Sequence, residues 1–345
     1  TGVRVSADCT SALWKRLAVT LSYNNPGATA KLDARDIDIV QSKTVLADLA
    51  GGALPAADVL ENLKGTISSV SFSIRIPRIT EPADNVTISG RGNFQDIELT
   101  VPDVNLAVHK LAGGFELDND GIAFADVSAR LGKSRIQDGA VRLAPARNFA
   151  PTLMSAEFRL DLSDVPGWLH LIPDPYAREE IALIKDPRGT ATGRFELRAE
   201  GDSYSTEIAV RNLELQSSYR SFPPTFELRQ GTCSYRDDVL SFDNFSAKLG
   251  SSTLPDFSLF FSIQDGPDDF TASAKGATVD FVDLRMVLDS FDESKELIEN
   301  ITHAEGRAKI GSLAFEGPLA EPEKWTLAVD AQLDDVSVAA EELDG

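Results

Sequence analysis

The residues best suited to chemistry are few in this sequence: His109, His170, His303, Cys9, Cys233 and a handful of closely spaced acids. A metal centre built on imidazole and thiolate needs those groups at short, regular intervals, and none of the five has a His or Cys at ligand spacing. His170, within "WLHLIP", reads as a helix-edge residue. Asp118, Asn119 and Asp120 open like a calcium loop, but the twelfth position lacks its Glu, so a hairpin turn is expected there. Asp36 and Asp38 resemble a glycosidase carboxylate pair; two apart on a strand they share one face, where alternating acids are ordinarily solvated. Neither a phosphate loop, nor "GxGxxG" after a strand, nor "GxSxG" is present. "NVT", "NFS" and "NIT" match the glycosylation acceptor, a short pattern frequent by chance. The expectation is a protein that is not an enzyme, with no catalytic residue, no metal and no cofactor.

If no side chain is placed for catalysis, the elements themselves must carry the function. The 345 residues hold 33 basic against 54 acidic side chains, a net charge of −21, and 42% are hydrophobic. Without Lys/Arg clusters to neutralise phosphates, nucleic acid is excluded as a partner, and so is polybasic docking on anionic membranes. Acidity keeps in solution a chain that carries incompletely buried apolar surface. Two cysteines do not make a disulfide framework and are expected as buried free thiols. No apolar run reaches the ~18 residues of a membrane span. Thr1 begins within a strand pattern, so the sequence reads as a piece of a longer protein.

The dominant pattern has period two, the mark of strands with one apolar and one polar face. Val70, Phe72, Ile74 and Ile76 alternate with polar residues; Ile97, Leu99 and Val101 do the same. Phe195 and Leu197 flank Glu196, Ile208 and Val210 form a similar run, and Phe257, Leu259, Phe261 and Ile263 make a strongly apolar row. Turns are expected at "SGRGN" from Ser89, "DNDG" from Asp118, "QDG" from Gln137 and Gln264, and "RDD" from Arg236. Short amphipathic helices are expected over Pro55 to Lys64, Asp174 to Lys185 (Asp174 as N-cap, Pro175 first in the helix) and Asp283 to Asn300. Roughly twenty strands at about 4.8 Å would form a sheet about 90 Å long, which curls into a trough or splits into sandwiches.

These elements recur. "GTISSVSFSIRIP" from Gly65 returns as "GTATGRFELRAEG" from Gly189 and "GRAKIGSLAFEGP" from Gly306. "FADVSARLGKS", reaching Gly132, returns as "FDNFSAKLGSS", reaching Gly250, and "FRLDLSDVPGWLHLI" aligns with "AKGATVDFVDLRMVL", Asp164 with Asp280 and Trp168 with Leu284. A unit of about 120 residues gives four segments: 1–64, the end of one repeat; 65–188; 189–305; and 306–345, the start of another.

The "LG-x-S-x-(I/L)" phrase at Leu131–Ile136 and Leu249–Leu254, followed by Leu160–Val165 and Ala277–Leu284, resembles the AsmA-like family of repeating β-groove, bridge-like lipid-transfer proteins. The resemblance implies a mainly β fold: a long curved antiparallel sheet whose repeats form an apolar groove, each with a short amphipathic helix. It implies non-enzymatic phospholipid transport between the inner and outer bacterial membranes in support of outer-membrane biogenesis. The segment would be periplasmic, anchored to the inner membrane in the full-length protein, with membranes at the ends, phospholipid acyl chains as cargo and envelope proteins as partners. The alternating residues named above would line the groove. The competing reading is a periplasmic scaffold or chaperone for outer-membrane protein assembly, offering sheet edges to client strands.

Overall fold

A computed structural model describes residues 2–25, 27–42, 63–78, 86–101, 105–147, 150–171, 175–201, 203–219, 225–236, 239–262, 269–289, 301–318 and 324–340. Among the described residues the period-two runs form eighteen strands of antiparallel sheet, accompanied by a few short helices, as the alternation requires. By contacts the chain divides into two compact units, Thr1–Phe158 with Phe195–Ser205, and Arg159–Arg194 with Thr206–Gly345.

In the first unit β1 (Gly2–Cys9), β2 (Arg16–Asn24), β3 (Gly27–Asp38), β4 (Lys64–Ile76), β5 (Thr87–Val101), β6 (Leu106–Asp118), β7 (Gly121–Leu131) and β8 (Ser134–Leu143) form a meander, each strand pairing with the next. β9 (Pro151–Asp161) and β10 (Ile184–Glu200) each contribute residues to both units. In the second unit β11 (Ser203–Tyr219) pairs with two short strands, β12 (Phe226–Arg229) and β13 (Thr232–Arg236), and both pair in turn with β14 (Val239–Leu249). β12 and β13 are thus one strand position, broken at Gln230 and Gly231, whose φ of 59° and 92° leave the extended region. β15 (Ser252–Ser262), β16 (Asp269–Asp280), β17 (Ile301–Pro318) and β18 (Thr326–Ala340) continue the meander.

A local device recurs along the strands. Asp36, Asp96, Lys110, Asp126 and Asp138 in the first unit, and Asp186, Asn244 and Asp335 in the second, have φ between 49° and 56°. Each stands third in a four-residue phrase such as Phe94-Gln95-Asp96-Ile97, Phe124-Ala125-Asp126-Val127 or Phe242-Asp243-Asn244-Phe245, and the register slips at those three. These are β-bulges: one extra residue is absorbed, so the apolar residues on either side keep the same face while the strand bends. Asp and Asn tolerate the left-handed conformation better than other residues with a side chain. The recurring Gly65 and Gly306 lie opposite such bulges, with φ of 126° and 107°. A Cβ on Gly65 would come within 2.7 Å of the Asp96 carbonyl oxygen, and one on Gly306 within 2.5 Å of that of Asp335. The recurring glycine is therefore a backbone requirement.

The Leu-Gly phrases are hairpin turns. Leu131 pairs with Ser134 and Leu249 with Ser252, leaving two-residue loops whose first residue, Gly132 or Gly250, has φ of 63° or 56°. That is the pattern of a type II′ turn. The turn expected at Asp118 forms, its Oδ1 accepting from the Asp120 and Gly121 amides at 2.9 and 3.1 Å. "SGRGN" is instead part of β5, and Gln137-Asp138-Gly139 is a bulge inside β8. Gln264-Asp265-Gly266 lies outside the described residues, as do Asp237 and Asp238 between β13 and β14.

A short helix that was not expected, α1 (Val165–Trp168), precedes the second expected region, which holds α2 (Pro175–Ala182), and Ile184 and Lys185 begin β10. Asp174 lies outside the described residues, as do 55–62 of the first predicted helix, whose last residue, Lys64, begins β4. α3 (Phe281–Asp289) starts two residues earlier than expected, because Asp280 Oδ1 accepts from the Val282 amide at 3.1 Å; residues 290–300 lie outside the described residues. Asp161 does the same for Ser163 at 3.0 Å, so Asp161 holds the position of Asp280 and Asp164 that of Asp283, three residues from the sequence alignment. Asp38 accepts from the Gln41 amide at 3.1 Å where a helical turn begins at 39, and Asp36 pairs with Lys15 at 3.3 Å. Each acid thus has a local partner of its own.

Candidate functional site

Directly opposed residues of an antiparallel ladder share a face, so the register shows what each face carries. In the first unit one chain of partners runs Ala7, Val19, Leu32, Phe72, Gly90, Leu117, Ile122, Leu143 across eight strands. Beside it run Cys9, Leu17, Ala34, Val70, Gly92, Phe115, Phe124, Val141, and, over five strands, Val5, Leu21, Ala30, Ile74, Ile88. The reverse face, one residue out of phase, carries Asp8, Ala18, Asp33, Ser71, Arg91, Glu116, Ala123 and Arg142.

The second unit repeats the division. Val210, Cys233, Phe242, Leu259, Ala272, Phe315 and Leu327 are successive partners, and so are Ile208, Tyr235, Leu240, Phe261 and Phe270. A third row joins Phe257, Ala274, Leu313 and Val329, with Phe245 opposite Phe257. Ion pairs decorate the reverse face, among them Arg236–Glu207 at 2.9 Å and Lys309–Asp334 at 2.5 Å. Exposed pairs of this kind add little stability and mark a solvated surface.

The apolar faces combine buried and exposed side chains, with Ala34, Val70, Ile97 and Ala274 buried. Phe245 is the one large apolar side chain among the described residues that is fully buried. Ile74 and Leu21 are 42% and 52% exposed, and Val5, Ile88, Leu327 and Val329 are exposed as well. The aromatic rings spread over the sheet: Phe72, Phe115, Phe124 and Phe94 follow one another at 6.3–6.5 Å between centroids. Gly90 and Gly92 make room for this, since a Cβ on either would lie 2.6 Å from the ring of Phe72 or Phe115. The rings of Phe72 and Phe115 thus lie close over glycine backbone.

Of the residues expected to line a groove, Val70, Phe72, Ile74 and Ile76 share this face in the first unit. Ile97, Leu99 and Val101 stand past the Asp96 bulge and pair with Leu111, Val108 and Leu106. Ile208, Val210, Phe257, Leu259 and Phe261 are brought together in the second unit. Phe195 and Leu197 are half-buried on β10, and Ile263 lies outside the described residues. Sequence reasoning missed Leu17, Val19, Phe115, Ile122, Phe124, Phe242 and Phe315, which complete the rows. The three-residue spacings Phe94–Ile97, Phe124–Val127 and Phe242–Phe245, each with Asp or Asn at the third position, were the available signal.

In the second unit residues of 162–169, Ile181, Ala182 and the start of β10 line a hollow of about 500 Å³ against β11. Leu162, Val165, Leu169, Ile181, Leu213 and Leu215 line it, with Lys185, Asp186 and Arg188 among its polar residues. The charged face of the first unit has a hollow of its own, about 600 Å³, with Arg16, Arg35, Arg91, Asp33 and Glu116 in its walls. α3 rests on β16 and β17, and its buried Asp283 accepts from the Ser251 and Ser252 amides and Ser252 Oγ at 2.8–2.9 Å, fixing the β14–β15 turn.

The chemistry-bearing residues do not converge. His109 and His303 approach only Glu98, at 4.0 Å, and Glu305, at 3.4 Å, on exposed surface, and no group of three potential ligands occurs among the described residues. Both cysteines are free, as expected, but Cys9 is exposed rather than buried. Cys233 is half-buried, and its thiol is pushed up to about 11 by burial and by the negative charge of Asp243. No family model matches the chain, nor does any curated protein or solved structure.

Proposed function

We propose that the apolar sheet faces carry phospholipid acyl chains, and that the chain is a segment of a non-enzymatic, bridge-like lipid transporter of the AsmA-like type working between bacterial membranes. The observation that carries the reading is the cross-strand continuity of apolar partners. An acyl chain leaving a bilayer for water loses about 0.8 kcal/mol per CH₂, so a carrier must offer unbroken apolar contact. Rows spanning eight strands, in which the bulges do not flip the apolar residues to the other side, supply that contact within the first unit. Low rings and small side chains along a row give weak, similar contacts at each step, which lets a bound chain slide. Bends at successive bulges would curve the sheet into a trough, the repeats would extend it, and headgroups would stay in water. Transport of this kind breaks no bond and needs neither nucleophile nor base.

The test places photo-crosslinking amino acids at Phe72, Leu99, Phe195 and Phe261 in the full-length protein in cells, with Ser71 and Arg91 as reverse-face controls. Phospholipid adducts at the first set and none at the controls are expected. Capture of outer-membrane protein precursors in place of phospholipid would overturn this reading in favour of the assembly scaffold.

A further inference from the structure

We infer that the hollow lined by residues of 162–169, 181–188 and β11 is a discrete resting site for one acyl chain of an anionic phospholipid, with Arg188 as its headgroup anchor. The inference deepens the proposed function and rests on it. Apolar side chains from three sides converge here: Leu162, Val165 and Leu169 from the segment around α1, Ile181 from α2, and Leu213 and Leu215 from β11. Leu215 opposes Leu228, and Leu228 opposes Ala247, so the hollow opens on the same face as the apolar rows of this unit. About 500 Å³ lies within the range of sites that bury a small organic ligand, and a mostly apolar lining with a few polar groups is their usual character.

Charge selects the headgroup. In a chain of net charge −21 the hollow's lining holds two cations, Lys185 and Arg188, against one acid, Asp186. Lys185 Nζ is engaged by the Ala182 carbonyl at 3.0 Å, tying the end of α2 to β10. Arg188 is exposed and forms no ion pair among the described residues. A guanidinium beside an apolar hollow suits a phosphodiester whose acyl chain lies within, since it grips phosphate through paired N–H donors. A zwitterionic headgroup would set its own cation beside the same guanidinium and gain less. The site therefore favours phosphatidylglycerol over phosphatidylcholine.

The experiment measures extraction of pyrene-labelled phosphatidylglycerol or phosphatidylcholine from vesicles by the whole chain, followed by the loss of pyrene excimer emission. Wild-type protein should extract phosphatidylglycerol about three- to tenfold better, the range expected for one charge-assisted contact at a partly exposed site. Arg188→Glu, a surface change, should remove that preference by lowering phosphatidylglycerol extraction about three- to tenfold more than phosphatidylcholine extraction, which loses the weaker phosphate contact. Leu169→Trp, which fills the hollow, should lower extraction of both about tenfold while the crosslinks at Phe72 and Phe261 persist. Retained preference in R188E, or undiminished extraction by L169W, overturns the site and leaves the groove standing. Loss of the Phe72 and Phe261 crosslinks in wild-type protein would overturn the reading on which the site rests.

Discussion

If the apolar rows are open to a passing acyl chain, a charged residue in a row should cost little stability and much lipid capture. Ile74 and Leu21 belong to one row, with Ala30 between them, and are 42% and 52% exposed. Full burial of such a side chain is worth about 1.5–3 kcal/mol, so roughly half of that, about 1 kcal/mol, is at stake at each position. Lysine retains part of it by laying its stem along the surface. Ile74→Lys should therefore lower the unfolding free energy by no more than about 1 kcal/mol. Leu21→Lys/Ile74→Lys should lose close to the sum, since the residues sit about two strand spacings apart. Phe245→Ala is the internal standard: its ring is fully buried, and its loss should cost about 3–5 kcal/mol. Urea denaturation followed by circular dichroism gives all three values, and crosslinking from Phe72, in the neighbouring row, reports lipid. The double variant should fold and yield markedly less phospholipid adduct. A cost for Ile74→Lys equal to that of Phe245→Ala would falsify the open-face argument, because it would mean that the row is sealed in a core.

Three further outcomes follow from local geometry. Asp283→Ala strands the Ser251 and Ser252 amides and Ser252 Oγ, which should cost about 3–5 kcal/mol in urea unfolding, whereas Asp283→Asn keeps one acceptor and should lose about half as much. At the bulge, Asp96→Gly should be neutral or slightly stabilising and Asp96→Val destabilising by about 1–2 kcal/mol; equal midpoints for the two would remove φ as the cause. Cys9 should react with a disulfide reagent at pH 8 far faster than Cys233, whose thiolate forms only near pH 11. Because folding raises that pKa, the native state holds the proton more tightly, and stability should fall as pH rises from about 9 toward 11. A Cys233→Ser variant without that alkaline loss would trace it to this thiol.

Much of the fold was legible because period two and turn chemistry are local. The alternation of Val70, Phe72 and Ile74 determined a strand and its apolar side, and the "DNDG" phrase at Asp118 determined a turn. The same locality misled at "SGRGN" and "QDG". Gly90 and Gly92 are in β5 to accommodate the rings of Phe72 and Phe115, which belong to other strands. Asp138 is in a bulge that keeps β8 in phase with its neighbours. Neither reason is visible within a five-residue window.

By itself the sequence determined which residues are apolar, their spacing along each strand, and the recurrence of Gly65, Gly189 and Gly306. Only the tertiary structure decided which of them become partners across strands, that each bulge leaves the apolar side unchanged, and that α1, α2 and β11 surround one hollow. The physical reason is that a strand's phase is written in its own residues, while register is set by hydrogen bonds and side chains from strands distant in sequence.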